Sequence, residues 1–152
     1  MTLNESTNFR KIPAFVRDYL ILQKRRFNDD LEFSIEADEA IDLEKIKIPH
    51  PLVYTFAENA VKHGLRNKKG NRKLTIRIKR QGDKILIIIT DNGIGRRQSK
   101  VKNTSGTGKG LMIIKNIITG YNKLNNRFVS FKINDLMDTN GSSQGTEVVV
   151  EV

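Results

Sequence analysis

Apolar residues recur along this chain at two spacings, one helical and one extended. Ile12, Phe15, Val16, Tyr19 and Leu20 share one helical face and predict a helix from Ile12 to Phe27. Leu31, Phe33, Ile35 and Ala37 then alternate with polar residues, the pattern of a half-buried strand. Asp38 to Lys47 reads as a connection. A second helix is expected from near His50-Pro51, because proline suits a first helical turn, to a C-cap at Gly64. Leu74, Ile76 and Ile78 alternate again, Gly82-Asp83 turns the chain, and Ile85 to Thr90 form the continuous apolar run of a central strand. The segment from Asp91 to Thr107 has almost no core-forming residues and is expected as a loop of roughly 15 residues. A third helix follows from about Gly108 through Leu111, Ile114, Ile117, Ile118 and Tyr121. Val129, Phe131 and Ile133, then Val148 to Val152, give two closing strands. Short turns at Gly82 and around Asn140-Gly141 favour antiparallel pairing over a doubly wound parallel sheet. The expected architecture is a two-layer α/β sandwich.

Composition narrows the picture. The longest apolar stretch, Ile85 to Ile89, falls far short of the ~18 residues that span a bilayer. No charged-then-apolar leader opens the chain, and the absence of cysteine removes disulfides and thiolate metal sites. A soluble, cytosolic single domain over 1–152 is the expectation. The formal net charge is +10, and its placement is uneven: 15 basic and two acidic residues lie between Lys62 and Lys109, leaving 12 basic and 15 acidic elsewhere. That segment attracts anions such as nucleic acid, acidic lipid or polyphosphate, or is a solvated surface; charge alone does not choose.

Three constellations carry chemistry. On the second helix Leu52, Val53, Phe56, Ala57, Ala60 and Val61 form the buried stripe, while Thr55, Glu58, Asn59 and Lys62 stack on the opposite face. Such a face is ordinary on a surface helix, yet a carboxylate beside an amide, one turn from an ammonium, also suits a hydrated cation and a phosphate. Asp91-Asn92-Gly93-Ile94-Gly95 follows the central strand; it is either a tight turn or a place where backbone meets a ligand beside an acceptor carboxylate. In Ser105-Gly106-Thr107-Gly108-Lys109-Gly110-Leu111, alternating glycines bare successive N–H groups at a helix start, a geometry that binds phosphate. Neither the Walker A spacing nor a dinucleotide fingerprint is present.

In order and spacing, Glu58-Asn59-Ala60-x-Lys62-His63-Gly64, Asp91-x-Gly93-x-Gly95 and Gly106-x-Gly108-x-Gly110-Leu111 resemble the N, G1 and G2 boxes of the GHKL ATPase superfamily. The likeness is to the ATP-binding catalytic domain of bacterial two-component sensor histidine kinases, in the branch whose N box reads E-N-A-x-K-H-G. It extends to Gly145-Thr146-Glu147-Val148 on the last strand. The resemblance implies a Bergerat-type fold, a mixed, mostly antiparallel sheet covered on one face by about three helices. It implies ATP and Mg²⁺ as cofactors, with Asn59 on the metal and Glu58 as general base or water-positioning group. Lys62 and His63 would meet phosphate, Asp91 the adenine amine, and Gly93 and Gly95 would shape the adenine pocket. Gly106, Thr107, Gly108, Lys109, Gly110 and Leu111 would line the phosphates, and Thr146 would back the adenine. ATP over GTP follows, because guanine presents an acceptor to Asp91, a mismatch costing about 1–3 kcal/mol. The basic excess would then serve the triphosphate.

The sequence departs from the family in a short stretch between Gly95 and Gly106, expected to be a small lid. Lys109 stands where an aliphatic residue is common, and either touches phosphate or is solvated. Neither His50, between Pro49 and Pro51, nor His63 fits a phosphoacceptor. The implied whole is therefore longer: a membrane-anchored homodimeric sensor whose cytoplasmic domain this is, with a separate phosphoacceptor-histidine dimerisation domain and a downstream response regulator. An anti-sigma-type serine kinase shares these boxes. A basic nucleic-acid-binding domain is disfavoured by scarce aromatics, and a non-hydrolysing scaffold by the presence of Glu58, Asn59 and Asp91.

Overall fold

The computed structural model describes residues 14–42, 45–49, 51–97 and 109–152. Helix α1 spans Ala14–Arg26 and strand β1 Leu31–Ala37. Helix α2, Leu52–Asn59, runs directly into a π-helical turn, Ala60–Leu65. Strands β2, Arg72–Gln81, and β3, Lys84–Asp91, form a hairpin. Helix α3 spans Lys109–Asn125, and β4, Ser130–Met137, and β5, Ser143–Glu151, end the chain.

The strands make one sheet in the order β1-β2-β3-β5-β4. Only β1 and β2 are parallel, because α2 and the π turn between them supply the crossover that parallel pairing needs. The β2–β3, β3–β5 and β4–β5 pairs are antiparallel, the first through the two-residue Gly82-Asp83 turn. This is the mixed, mostly antiparallel sheet expected from the sequence.

Alternation puts Leu74, Ile76 and Ile78 of β2 beside Ile87 and Ile89 of β3 and Val148 and Val150 of β5 on the inner face. There they join Val16 and Leu20 of α1, Leu52 and Phe56 of α2, and Ile114 and Ile118 of α3 in one core. Each such side chain, fully removed from water, contributes roughly 1.5–3 kcal/mol. The Phe56 and Phe131 rings, 5.2 Å apart, bind α2 to the β4 side of the core. Leu52, Val53, Phe56, Ala57, Ala60 and Val61 are all buried, as their spacing predicts.

Three expectations need adjustment. Gly64 does not cap a helix: it lies buried inside the π turn, and the segment ends on Arg66 in ordinary right-handed backbone. Asp91 belongs to β3 instead of opening a loop, and 95–97 form a short helical turn. The final strand starts earlier than Val148, at Ser143. His50 and Gly106, Thr107 and Gly108 lie outside the described residues, as does most of the stretch expected as a lid.

Candidate functional site

The inner face of the sheet is apolar except at one end, where β3 finishes on Asp91. Asp91 is 5% exposed. Burial pushes its pKa up to about 6, against the pull of backbone N–H groups of Gly93 and Thr146. The Gly93 N–H donates to Asp91 Oδ1 at 2.8 Å. Thr146 is the β5 partner of Asp91 in the ladder, so the expected adenine-backing residue does stand beside it.

Glycine is required around this carboxylate for space. A Cβ on Gly64 would stand 2.5 Å from Asp91 Oδ1, and one on Gly93 would enter the backbone of Gly64 itself. The Ile94 N–H donates to the Gly64 carbonyl at 3.0 Å, which locks the π turn against the segment after β3. Asn92 fixes the other side of that segment: its Oδ1 accepts from the Lys73 N–H at 2.7 Å, and its Nδ2 donates to the Asn71 carbonyl at 2.7 Å. Gly95 has φ +83 and faces Ser143 of β5.

The polar face of α2 continues the site. Glu58 is held at both oxygens: Lys62 Nζ lies 3.2 Å from Oε1, and the Tyr54 hydroxyl donates to Oε2 at 3.0 Å. Asn59 reaches the start of α3, where a Cβ on Gly110 would lie 3.8 Å from Asn59 Oδ1. The N box and the described end of the third glycine motif thus meet across the site. Leu111 is half-buried and packs against the core. His63 stands exposed on the π turn; partial loss of hydration, then Lys62 and Arg66, lower its pKa. Thr55 is absent from this grouping, its hydroxyl donating to the Pro51 carbonyl at 2.8 Å.

Five cations of the basic segment pair with carboxylates other than Glu58 and Asp91. Lys73 and Arg77 point to the outer face of the sheet, 3.9 Å and 3.2 Å from Glu32 and Glu36 of β1, and Lys84 pairs with Glu151. Arg72 pairs with Asp30, and Arg96 with Asp135. Lys62, beside Glu58, stays on the site, with the imidazole of His63 next to it in sequence. Sequence reasoning passed over Tyr54, although its distance of four residues from Glu58 signals one helical face. It also passed over the two-pronged Arg96–Asp135 bond, at 2.7 and 2.8 Å, which ties the turn after Gly95 to β4.

A buried acceptor carboxylate, space kept by glycine, and an amide and carboxylate on the adjoining helix suit a purine and its phosphates. Residues 45–152 match the family model described as histidine kinase-, DNA gyrase B-, and HSP90-like ATPase. The chain belongs to that ATPase family. It is 28% identical over 143 residues to the Bacillus subtilis (strain 168) protein YwpD, covering 93% of this chain and 48% of the relative. It is 29% identical over 92 residues to the Escherichia coli (strain K12) sensor histidine kinase YpdA, covering 60% of this chain and 16% of that protein. The chain therefore spans about half, or much less, of the curated relatives it matches. Among solved structures, the catalytic domain of histidine kinase ThkA superposes with a TM-score of 0.61 at 16% identity, over 93% of each chain. ThkA in complex with the response regulator protein TrrA gives 0.56 at 15% identity, over 94% of this chain and 39% of that one. These likenesses carry the fold: a five-stranded mixed sheet under helices, as in histidine kinase catalytic domains.

Proposed function

We propose that this chain is the ATP-binding catalytic domain of a sensor histidine kinase, moving the γ-phosphoryl group of ATP to a histidine on a separate dimerisation segment. The observation that carries the reading is Asp91, a carboxylate buried at the end of β3 with glycine backbone packed around it and Glu58 and Asn59 on the neighbouring helix. The chain's own residues would act as follows. Asp91 accepts from the adenine amine and rejects guanine, whose oxygen would face it acceptor to acceptor. Thr146 and the Gly93 and Gly95 backbone shape the base pocket. Lys62, His63, Lys109 and the glycines Gly106, Gly108 and Gly110, with Thr107 and Leu111, line the phosphate side.

Asn59 fits Mg²⁺, since a neutral amide oxygen is a hard ligand and the glycine start of α3 leaves room opposite it. When bound, that ion would offset phosphate charge. Glu58 would hold the N–H of the acceptor imidazole, so that the attacking ring nitrogen keeps its lone pair. As the N–P bond forms, the bond from phosphorus to the β-phosphate oxygen breaks, ADP leaves, and the imidazole proton passes to Glu58. Positioning and charge supply such catalysis, with no nucleophile from this domain. The reading places the domain in the cytoplasm, in a longer membrane-anchored homodimer that hands its phosphoryl group to a response regulator and binds no nucleic acid. Among the described residues no helix is long and apolar enough to cross a membrane.

The test is calorimetric titration of Mg·ATP and Mg·GTP into the chain and its Asp91→Asn variant. Saturable binding of ATP that GTP does not reproduce is expected, with a loss of about tenfold or more in the variant. Equal binding of both nucleotides by both proteins would overturn the adenine pocket.

A further inference from the structure

Glu58 sits on α2 with a phenol one turn behind it and an ammonium one turn ahead. The Tyr54 hydroxyl donates to Oε2 at 3.0 Å, and Lys62 Nζ lies 3.2 Å from Oε1. The two partners differ in rigidity. The Lys62 side chain is 46% exposed, on a flexible stem, and an exposed pair of this kind contributes about 0–1 kcal/mol. A triphosphate nearby competes for that ammonium. Tyr54 has no such freedom. Its ring is half-buried against the core and meets Tyr19 of α1 edge-on, with centroids 5.2 Å apart and planes at 67°. The hydrogen bond to Glu58 raises the pKa of Tyr54, so the phenol keeps its proton and remains a donor. Tyr19 is pushed up to about 12, first by burial and then by the charge of Glu58. Helix α1 lies outside the 45–152 segment shared with the ATPase family, so this support belongs to the part of the chain the family pattern does not describe.

We propose that Tyr54 is a positioning residue for Glu58: it fixes one carboxylate oxygen from the α1 side, so that the other is presented to the reacting group once Lys62 turns to phosphate. The inference rests on the reading of Glu58 as general base or water-positioning group. In this role Tyr54 acts through Glu58, to which its hydroxyl donates.

The experiment uses Tyr54→Phe, which keeps the ring and its contact with Tyr19, together with Glu58→Gln and the double variant. Transfer of the γ-phosphoryl group from Mg·ATP to a histidine-bearing dimerisation segment supplied in excess is followed, alongside nucleotide affinity and the ¹³C resonance of the Glu58 carboxylate in the nucleotide complex. The expected result for Tyr54→Phe is a kcat lower by about tenfold, an unchanged KM, and a displaced Glu58 resonance. In the Glu58→Gln background the same substitution should change nothing further, whereas a residue that merely stabilised the fold would lower both backgrounds alike. Wild-type turnover and an unmoved resonance in Tyr54→Phe, with Glu58→Gln inactive, would overturn this inference and leave the role of Glu58 standing. Full turnover in Glu58→Gln, or none in the wild-type chain, would instead overturn the reading beneath it.

Discussion

Gly64 and the carboxylate of Asp91 are packed so that no side chain fits between them: a Cβ on Gly64 would stand 2.5 Å from Asp91 Oδ1. The oxygen has little freedom to retreat, because Gly93 donates to it at 2.8 Å and the group is buried. The π turn and the end of β3 therefore define one another, and the backbone bond from Ile94 to Gly64 at 3.0 Å closes the arrangement. A π-helical turn at such a place is typical of a segment shaped for a site, since one more residue per turn redirects side chains that a regular helix would carry elsewhere.

Gly64→Ala should cost about 1–3 kcal/mol, the usual range for forcing a methyl group into a packed interior, and should weaken ATP binding with it. Gly120 supplies the control. It lies in α3 with nothing within 4 Å of a built Cβ, so Gly120→Ala should be neutral or stabilise by up to about 1 kcal/mol. Urea denaturation of both variants beside the parent checks the pair. Equal stability of the two would mean that the contact at Gly64 relaxes freely.

Asp91 ties stability to pH. Its folded pKa, raised from 3.8 to about 6, means that the folded state takes up a proton before the unfolded chain does as pH falls. Its contribution to stability is thus full below about pH 3.8 and is lost as pH rises through about 6. Within that window the slope is at most about 1.4 kcal/mol per pH unit. Asp91→Asn removes this titration. The stability of the parent relative to the variant should therefore increase between pH 7 and pH 4.5, as read by denaturation at each pH. A constant difference would mean that the carboxylate is not desolvated.

Gly110 separates folding from binding. A Cβ there would sit 3.8 Å from Asn59 Oδ1, an ordinary contact, and alanine is the better helix former. Gly110→Ala should fold as well as the parent. If its backbone must come close to phosphate, affinity for Mg·ATP should nonetheless fall by about tenfold, which is about 1.4 kcal/mol. Thermal melts and calorimetric titration of one preparation give both numbers.

Much of this was legible in the sequence, and the remainder depended on contacts between distant segments. The buried stripe from Leu52 to Val61 and the alternation of Leu74, Ile76 and Ile78 follow from periodicity alone, because one buried face imposes it. Asp91, Gly93 and Asn59 were recognisable from motif spacing, and the structure brings Asp91 and Gly93 against the π turn that follows Asn59. Gly64 was misread as a cap because a glycine ending an apolar helical pattern looks the same whether it relaxes a turn or clears space for a distant carboxylate. The fate of the cations was not readable either. Lys73 meets Glu32, and Arg77 meets Glu36, only through the parallel β1–β2 register, which joins segments some forty residues apart. Tyr19 and Tyr54 meet only once α1 packs against α2.

Arg72 gives the sharpest test of how the π turn is anchored. Its Nε donates to the Leu65 carbonyl at 2.8 Å, one terminal nitrogen donates to Asp30 Oδ2 at 3.0 Å, and the other donates to the Lys68 carbonyl. The guanidinium also lies 4.3 Å from the centre of the Phe27 ring, and the side chain is only 15% exposed. The group thus joins the end of α1, the end of the π turn and the loop before β2 with a planar set of donors. A lysine ammonium cannot reach these three acceptors together, so charge alone should not rescue the site. Arg72→Ala should cost about 2–4 kcal/mol, and Arg72→Lys nearly as much, since either leaves carbonyls without their donor. Asp30→Asn, which weakens only the more exposed ion pair, should cost less than about 1 kcal/mol. Urea midpoints of the three variants decide the matter: full stability in Arg72→Lys would show that a positive charge near α1 suffices and that the fork does not hold the turn.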